Sequence, residues 1–323
     1  MRRVAHLVGL LCVLAFVVML VGCGSRNGVL EGPTLRAAGN PPANKIAFHN
    51  PGAGADRSRA EIFTMDGDGS GAVQLTAGKS QGGNTRPTWR PDGTKLCFVS
   101  SRPNSLGIGH LYVMNPDGSG QARLLTNDTG FEDMPDWSPD GTRVAYSWSA
   151  TGVPSRLHIQ DLATGVEADL HPVPGLVDSS PAWCPSGTMI VLRCSSQGNP
   201  ASGLYVVQAD GSGASRILPG EDLYAPSWSP LGGQIAYSKG GDIYVIPVDP
   251  ATGAPTGPGT NVTNSSATYD DWPSWSSDGA WLVFESMAQT PKATTWRICR
   301  VSVSGGASTA LGNGFDPDWC PVP

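Results

Sequence analysis

The chain has 323 residues, with 42 glycines, 28 prolines, 39% apolar and 15% charged side chains, and a formal net charge of −6. Glycine and proline stay below the level that marks a low-complexity or disordered chain, and their spaced recurrence punctuates many short segments. The acidic balance argues against nucleic acid and anionic lipid head groups as partners, and the length suits one large all-β domain.

Residues 1–22 read as an export signal. Arg2 and Arg3 precede an apolar run from Leu7 to Val21, and Gly22 then leads to Cys23. The run is short for a ~20-residue membrane span, although a retained transmembrane helix is the competing reading. The string Leu20, Val21, Gly22, Cys23 resembles a bacterial lipobox, which implies cleavage before Cys23 and lipidation of its sulfur. Gly24 follows it instead of the aspartate that retains such proteins at the inner membrane. The expected address is therefore the periplasmic face of the outer membrane in a two-membrane bacterium, and otherwise the outer face of the cell membrane. Loss of Arg2 and Arg3 leaves 19 basic against 27 acidic side chains, a net charge of −8. Residues 23–44 are rich in Gly, Pro and Asn without a period, as in a flexible tether. The folded body is expected over 45–323.

That body repeats itself. The segments RPTWRPDGTKLCFVS, MPDWSPDGTRVAYSW, SPAWCPSGTMIVLRC, APSWSPLGGQIAYSK, WPSWSSDGAWLVFES and a truncated DPDWCPVP place Trp89, Trp137, Trp183, Trp228, Trp275 and Trp319 at spacings of 48, 46, 45, 47 and 44 residues. A period of that size marks a propeller or a solenoid. Each copy continues with a second segment such as HLYVM or GLYVV and a third such as AVQLT. All are short, β-branched or aromatic, and bounded by Gly, Asp and Pro, so they read as strands. Four strands per repeat make one propeller blade. Pro-Asp-Gly supplies the reverse turn after Trp, and the tryptophan offers a large surface for burial between neighbouring blades.

The chain starts its first copy at KIAFHN without a Pro-x-Trp strand and ends just after one. The two fragments complete one blade, so the expected fold is a six-bladed β-propeller of four-stranded blades. Residues 316–320 join the three N-terminal strands of residues 45–76 to close the ring, which removes its open edges.

These motifs resemble the TolB-like, WD40-like family of β-propeller repeats over residues 45–320. The resemblance implies that the Pro-x-Trp strands line a central channel. There is no room here for the N-terminal domain that TolB carries, so a TolB-like fold is implied and a role in the Tol system is not.

No Gly-x-Ser-x-Gly elbow occurs, and His49, His110, His158 and His171 lack metal-ligand spacing. Asp66–Gly71 imitates the start of a calcium loop, but Ala77 stands where a bidentate Glu belongs, and a hairpin turn is the better reading. After processing, Cys97, Cys184, Cys194, Cys299 and Cys320 remain, an odd number, so at least one stays unpaired within a monomer. A long-range bridge through Cys299 or Cys320 and buried free thiols both stay open.

One constellation is suggestive. Asp133, Asp178, Asp222, Asp271 and Asp316 precede their tryptophans by three to six residues in five blades, and the sixth has Arg86. Either these are solvated turn residues, or they gather at one channel mouth and focus a negative potential on a cation or basic peptide. The expected function is a monomeric, lipid-anchored, non-catalytic scaffold that binds an envelope protein or peptide, without cofactor or metal. A glycan lyase or hydrolase using channel carboxylates and a purely structural envelope protein are the other readings. In the stretch from Phe131 to Ser147, Glu132 and Asp133 are expected to carry function, and PDWSPDGTRVAY to be scaffold.

Overall fold

The computed structural model describes residues 44–51, 59–77, 82–102, 108–125, 130–290 and 295–322. The signal, Cys23 and the tether up to residue 43 lie outside the described residues.

Twenty-four strands form six antiparallel sheets of four. The closing blade takes β1 (Lys45–Asn50), β2 (Glu61–Asp66) and β3 (Val73–Gln74). Then follow β4 (Asn84–Trp89), β5 (Leu96–Ser100), β6 (His110–Met114) and β7 (Ala122–Arg123) in the second blade. The third holds β8 (Phe131–Trp137), β9 (Arg143–Ala150), β10 (Val153–Asp161) and β11 (Glu167–Leu170). The fourth holds β12 (Val177–Trp183), β13 (Met189–Ser195), β14 (Gly203–Gln208) and β15 (Ser215–Pro219). The fifth has β16 (Leu223–Trp228), β17 (Gln234–Lys239), β18 (Asp242–Pro247) and β19 (Thr260–Asn261). The sixth has β20 (Thr268–Trp275), β21 (Trp281–Ala288), β22 (Trp296–Ser302) and β23 (Thr309–Asn313). The last strand, β24 (Phe315–Trp319), returns to pair with β1 through Ile46↔Trp319, Ala47↔Asp318 and His49↔Phe315. The six-bladed ring thus closes as the repeat predicts, by a C-terminal strand on three N-terminal ones.

The core is divided. Six clusters of buried side chains each lie between two adjacent blades, and each contains one tryptophan of the repeat. Trp183, for example, packs with Leu157 and Ile159 of the third blade and Ile190 and Leu192 of the fourth. Second strands such as β5 are buried along their whole length because a blade covers each face, which explains their unbroken apolar sequences.

The turn after each tryptophan follows from its residues. In Ser138-Pro139-Asp140-Gly141, the Gly141 N–H donates to the Ser138 carbonyl at 2.8 Å, and Gly141 takes φ 67°. Proline presets the first corner and glycine tolerates the left-handed position. Asp140 accepts from Thr142 N and from the Ser138 and Thr142 hydroxyls, which hold its carboxyl down at about 2. In the fourth blade Cys184 replaces that serine: its sulfur accepts the Met189 N–H at 3.2 Å, as the Ser138 oxygen accepts the Arg143 N–H. The five cysteines Cys97, Cys184, Cys194, Cys299 and Cys320 are free and buried.

Candidate functional site

The innermost strands, β4, β8, β12, β16, β20 and β24, carry a feature that the repeat does not advertise. The residue before the proline, Arg86, Met134, Ser180, Ala225, Trp272 or Asp316, has a positive φ of 42° to 54° in every blade. A residue before proline ordinarily prefers extended backbone, and a non-glycine at positive φ is strained. Each lies where the pairing register with the second strand shifts. Such bulges re-aim side chains, and these six all line the upper end of a central channel, the end at which the innermost strands begin. The chamber there has a volume of about 110 Å³. That is room for a few waters at about 30 Å³ each, or for one inserted side chain.

Three of the five aspartates singled out from the sequence come together here, around Arg86. Its Nε lies 3.1 Å from Asp133 and 3.9 Å from Asp316, and its guanidinium stacks 4.9 Å from the Trp272 ring centre. Burial pulls the Arg86 pKa down, but the charges of Asp133, Asp316, Glu285 and Asp271 outweigh it and raise the net value. Asp271 accepts the Trp272 N–H at 2.8 Å, and burial pushes its carboxyl up. Asp316 is buried beside His49, 3.3 Å away, and its N–H donates to Glu285 at 2.8 Å.

The other two stand elsewhere. Asp178 is fully buried inside its blade, 3.0 Å from His171 Nδ1, with its pKa raised by burial. Asp222 is exposed in the loop before β16. Counted back from their tryptophans, the five occupy four different positions. Only those three or four residues before Trp reach the mouth: the one five residues before lies within the blade, and the one six before precedes the strand. Glu132, five before Trp137, is likewise 1% exposed and accepts the Leu111 N–H of the preceding blade at 2.7 Å.

Sequence reasoning missed Asp136 and Asp318, the residues immediately before Trp137 and Trp319. Both line the channel, and Asp136 lies inside the stretch assigned to scaffold. Asp136 accepts the Trp183 N–H of the next blade at 2.7 Å, and Asp318 accepts that of Trp89 at 2.7 Å. Ser274 does the same for Trp319 at 3.0 Å and donates its hydroxyl to Asp318 at 2.9 Å. Burial raises Asp136 to about 7, with the charge of Asp318 adding to it, and raises Asp318 to about 6. The signal was the variable residue of Pro-x-Trp, which is Thr, Asp, Ala, Ser, Ser and Asp around the ring. Among the described residues, no three His, Cys, Asp or Glu side chains are grouped to hold a metal ion.

The histidines share one habit: His49, His110, His158 and His171 each face a carboxylate, at 3.3, 3.5, 2.7 and 3.0 Å.

Comparison with known proteins agrees with this architecture. The TolB beta propeller domain family matches residues 22–231 and 109–322. The protein TolB homolog of Chlorobaculum tepidum is 28% identical over 128 residues, covering 40% of this chain but only 27% of that relative. Among solved structures, TolB from Acinetobacter baumannii superposes with a TM-score of 0.63 at 18% identity, over 86% of this chain and 66% of that one. An oligogalacturonate lyase from Vibrio parahaemolyticus gives 0.53 at 14% identity, over 79% and 71%. At such identities the structures share the fold, and the repeat, the closed ring and the family match together make this chain a member of the TolB β-propeller domain family.

Proposed function

We propose that the chain is a non-catalytic binding scaffold of the cell envelope, anchored through lipidated Cys23, that captures a cationic segment of an envelope protein or peptide at the upper channel mouth. The observation that carries this reading is the convergence of Asp133, Asp271 and Asp316, backed by Glu285, on Arg86, the one guanidinium lining the chamber among the described residues. A cleft lined by one sign of charge focuses its field on the opposite charge and raises the association rate. The envelope address rests on the signal and on the family likeness.

The test is titration of the purified propeller with a lysine-rich peptide at rising ionic strength. The reading expects binding that weakens with salt and is lost when Asp133, Asp271 and Asp316 are changed together to Asn. Salt-independent binding, or binding indifferent to the triple change, would argue against it.

A glycan lyase or hydrolase is favoured by one observation, the raised pKa values of Asp136 and Asp318 in the channel, since perturbed carboxylates gather at active sites. Against it, one oxygen of each is committed to a main-chain N–H of the next blade. Loss of glycan cleavage in Asp136→Asn, measured against a wild type that cleaves, would decide for the enzyme.

A further inference from the structure

The mouth already holds a cation of its own. We propose that Arg86 is a tethered occupant of the acidic mouth, and that a cationic ligand binds by displacing it, so that Arg86 sets the affinity threshold and the selectivity of the site. This inference rests on the binding role proposed above.

Three observations carry it. First, Arg86 is poorly satisfied where it sits. Its Nη1 is buried without a hydrogen-bond partner, and its approach to Asp316 is 3.9 Å. Second, Asp316 is equally unfinished. Its side chain is 5% exposed, it lines the chamber, and neither carboxylate oxygen accepts a hydrogen bond. A buried bridge that serves only stability closes its hydrogen bonds on both sides, because unmet buried donors and acceptors are costly. Third, the chamber is lopsided. Arg86, Trp272 and Asp316 belong to three consecutive blades, while the same strand position in the three blades opposite holds Met134, Ser180 and Ala225, with the Met134 sulfur 3.2 Å from the Ser180 hydroxyl. The chamber of about 110 Å³, bordered by Ala225, therefore offers the space that a guanidinium leaving the Trp272 face needs.

The groups facing Arg86 are Asp133 on the following blade, Asp316 with His49 and Glu285 behind it and Asp271 on the preceding blades, and the Trp272 ring. Together they carry more negative than positive charge. An incoming ammonium that hydrogen-bonds Asp316 directly would meet acceptors that Arg86 leaves unmet. A ligand that binds only the opened mouth loses affinity in proportion to the fraction of time the mouth is closed. Removing the occupant restores that fraction.

The experiment compares wild type with Arg86→Gln, Trp272→Leu and the pair Asp133→Asn with Asp271→Asn, each titrated calorimetrically with tetralysine amide at low ionic strength. Arg86→Gln is expected to tighten binding about tenfold, corresponding to an occupant in place roughly nine-tenths of the time. Trp272→Leu, which frees Arg86 from the ring and leaves every charge in place, is expected to tighten it several-fold, and it decides the matter if Arg86→Gln does not fold. The aspartate pair is expected to weaken it. Unchanged or weaker binding in Arg86→Gln and Trp272→Leu, with the aspartate pair weakened, overturns the role of Arg86 and leaves the acidic mouth standing. No effect of the aspartate pair, or no binding by any form, overturns the mouth itself.

Discussion

Asp318 accepts the main-chain N–H of Trp89 at 2.7 Å, joining the strand that closes the ring to the first strand of the next blade, 229 residues away in sequence. Asp136 makes the same bond to Trp183, and Ser274 makes it to Trp319. Three of the six blade boundaries thus carry a side-chain latch inside the channel, set against the tryptophan that fills the wedge between the blades. Removing an acceptor strands a main-chain donor, and a buried unpaired donor costs about 1–3 kcal/mol. Asp318→Ala should therefore lower the unfolding free energy by that amount, with a corresponding fall in the urea midpoint. Asp318→Asn, which keeps an acceptor oxygen, should lower it less, and equal losses in the two variants by urea melts would argue against the latch.

The same carboxylates give stability a pH dependence of known sign. Asp136 and Asp318 titrate at about 7 and about 6 in the folded ring, above the unfolded value of roughly 3.9. Between those limits the folded state holds more protons, so the contribution of these groups is fully present below about pH 4 and is lost as pH rises through 6 to 7. Thermal melts from pH 5 to 8 should show a decline that flattens in Asp136→Asn. An identical slope in the variant would place the titration elsewhere.

Ring closure should be indispensable to cooperativity. Deleting residues 316–323 removes all of β24 but Phe315, takes away the Trp319 wedge and exposes the edge of β1. The expected result is loss of a single sharp melt, with increased aggregation from the open edge. A near-native transition by circular dichroism and calorimetry would sink the closed-ring account of stability.

Each tryptophan of the repeat should behave as a wedge. Trp183→Ala would leave a cavity among Leu157, Ile159, Ile190 and Leu192, at a cost of about 3–5 kcal/mol. The exposed Trp281, which is 39% accessible outside the repeat position, serves as the comparison, and its change to Ala should cost much less. Chemical denaturation of the two variants side by side reads the difference.

Anchoring is testable apart from the propeller. Cys23→Ala should move the protein from the membrane to the soluble fraction of the envelope, with the propeller melt unchanged. Continued membrane association with an uncleaved N-terminus would identify a retained helix.

The ring was legible in the sequence because its determinants are local and repeated. Pro-Asp-Gly forms its turn from φ preferences alone, and the near-constant Trp spacing counts the blades. The incomplete first and last copies give the closure. The candidate site was half legible. The five aspartates are visible as a pattern, but their distance from Trp varies by up to three residues. A strand turns successive side chains to opposite faces, so Asp178, five before its Trp, went into its blade while Asp133 and Asp271, four before theirs, reached the mouth; Asp316, three before, reaches it only through the bulge. No local rule predicts a left-handed residue before proline, and that bulge is what points Arg86 and Asp316 into the channel. Nor could spacing show that Asp136 and Asp318 bond the next blade, since the partners meet only once six sheets are packed around an axis. Sequence by itself determined the fold, through preferences that each blade satisfies alone; tertiary structure decided which charges face one another, because that depends on bulge, register and the curvature of the closed ring.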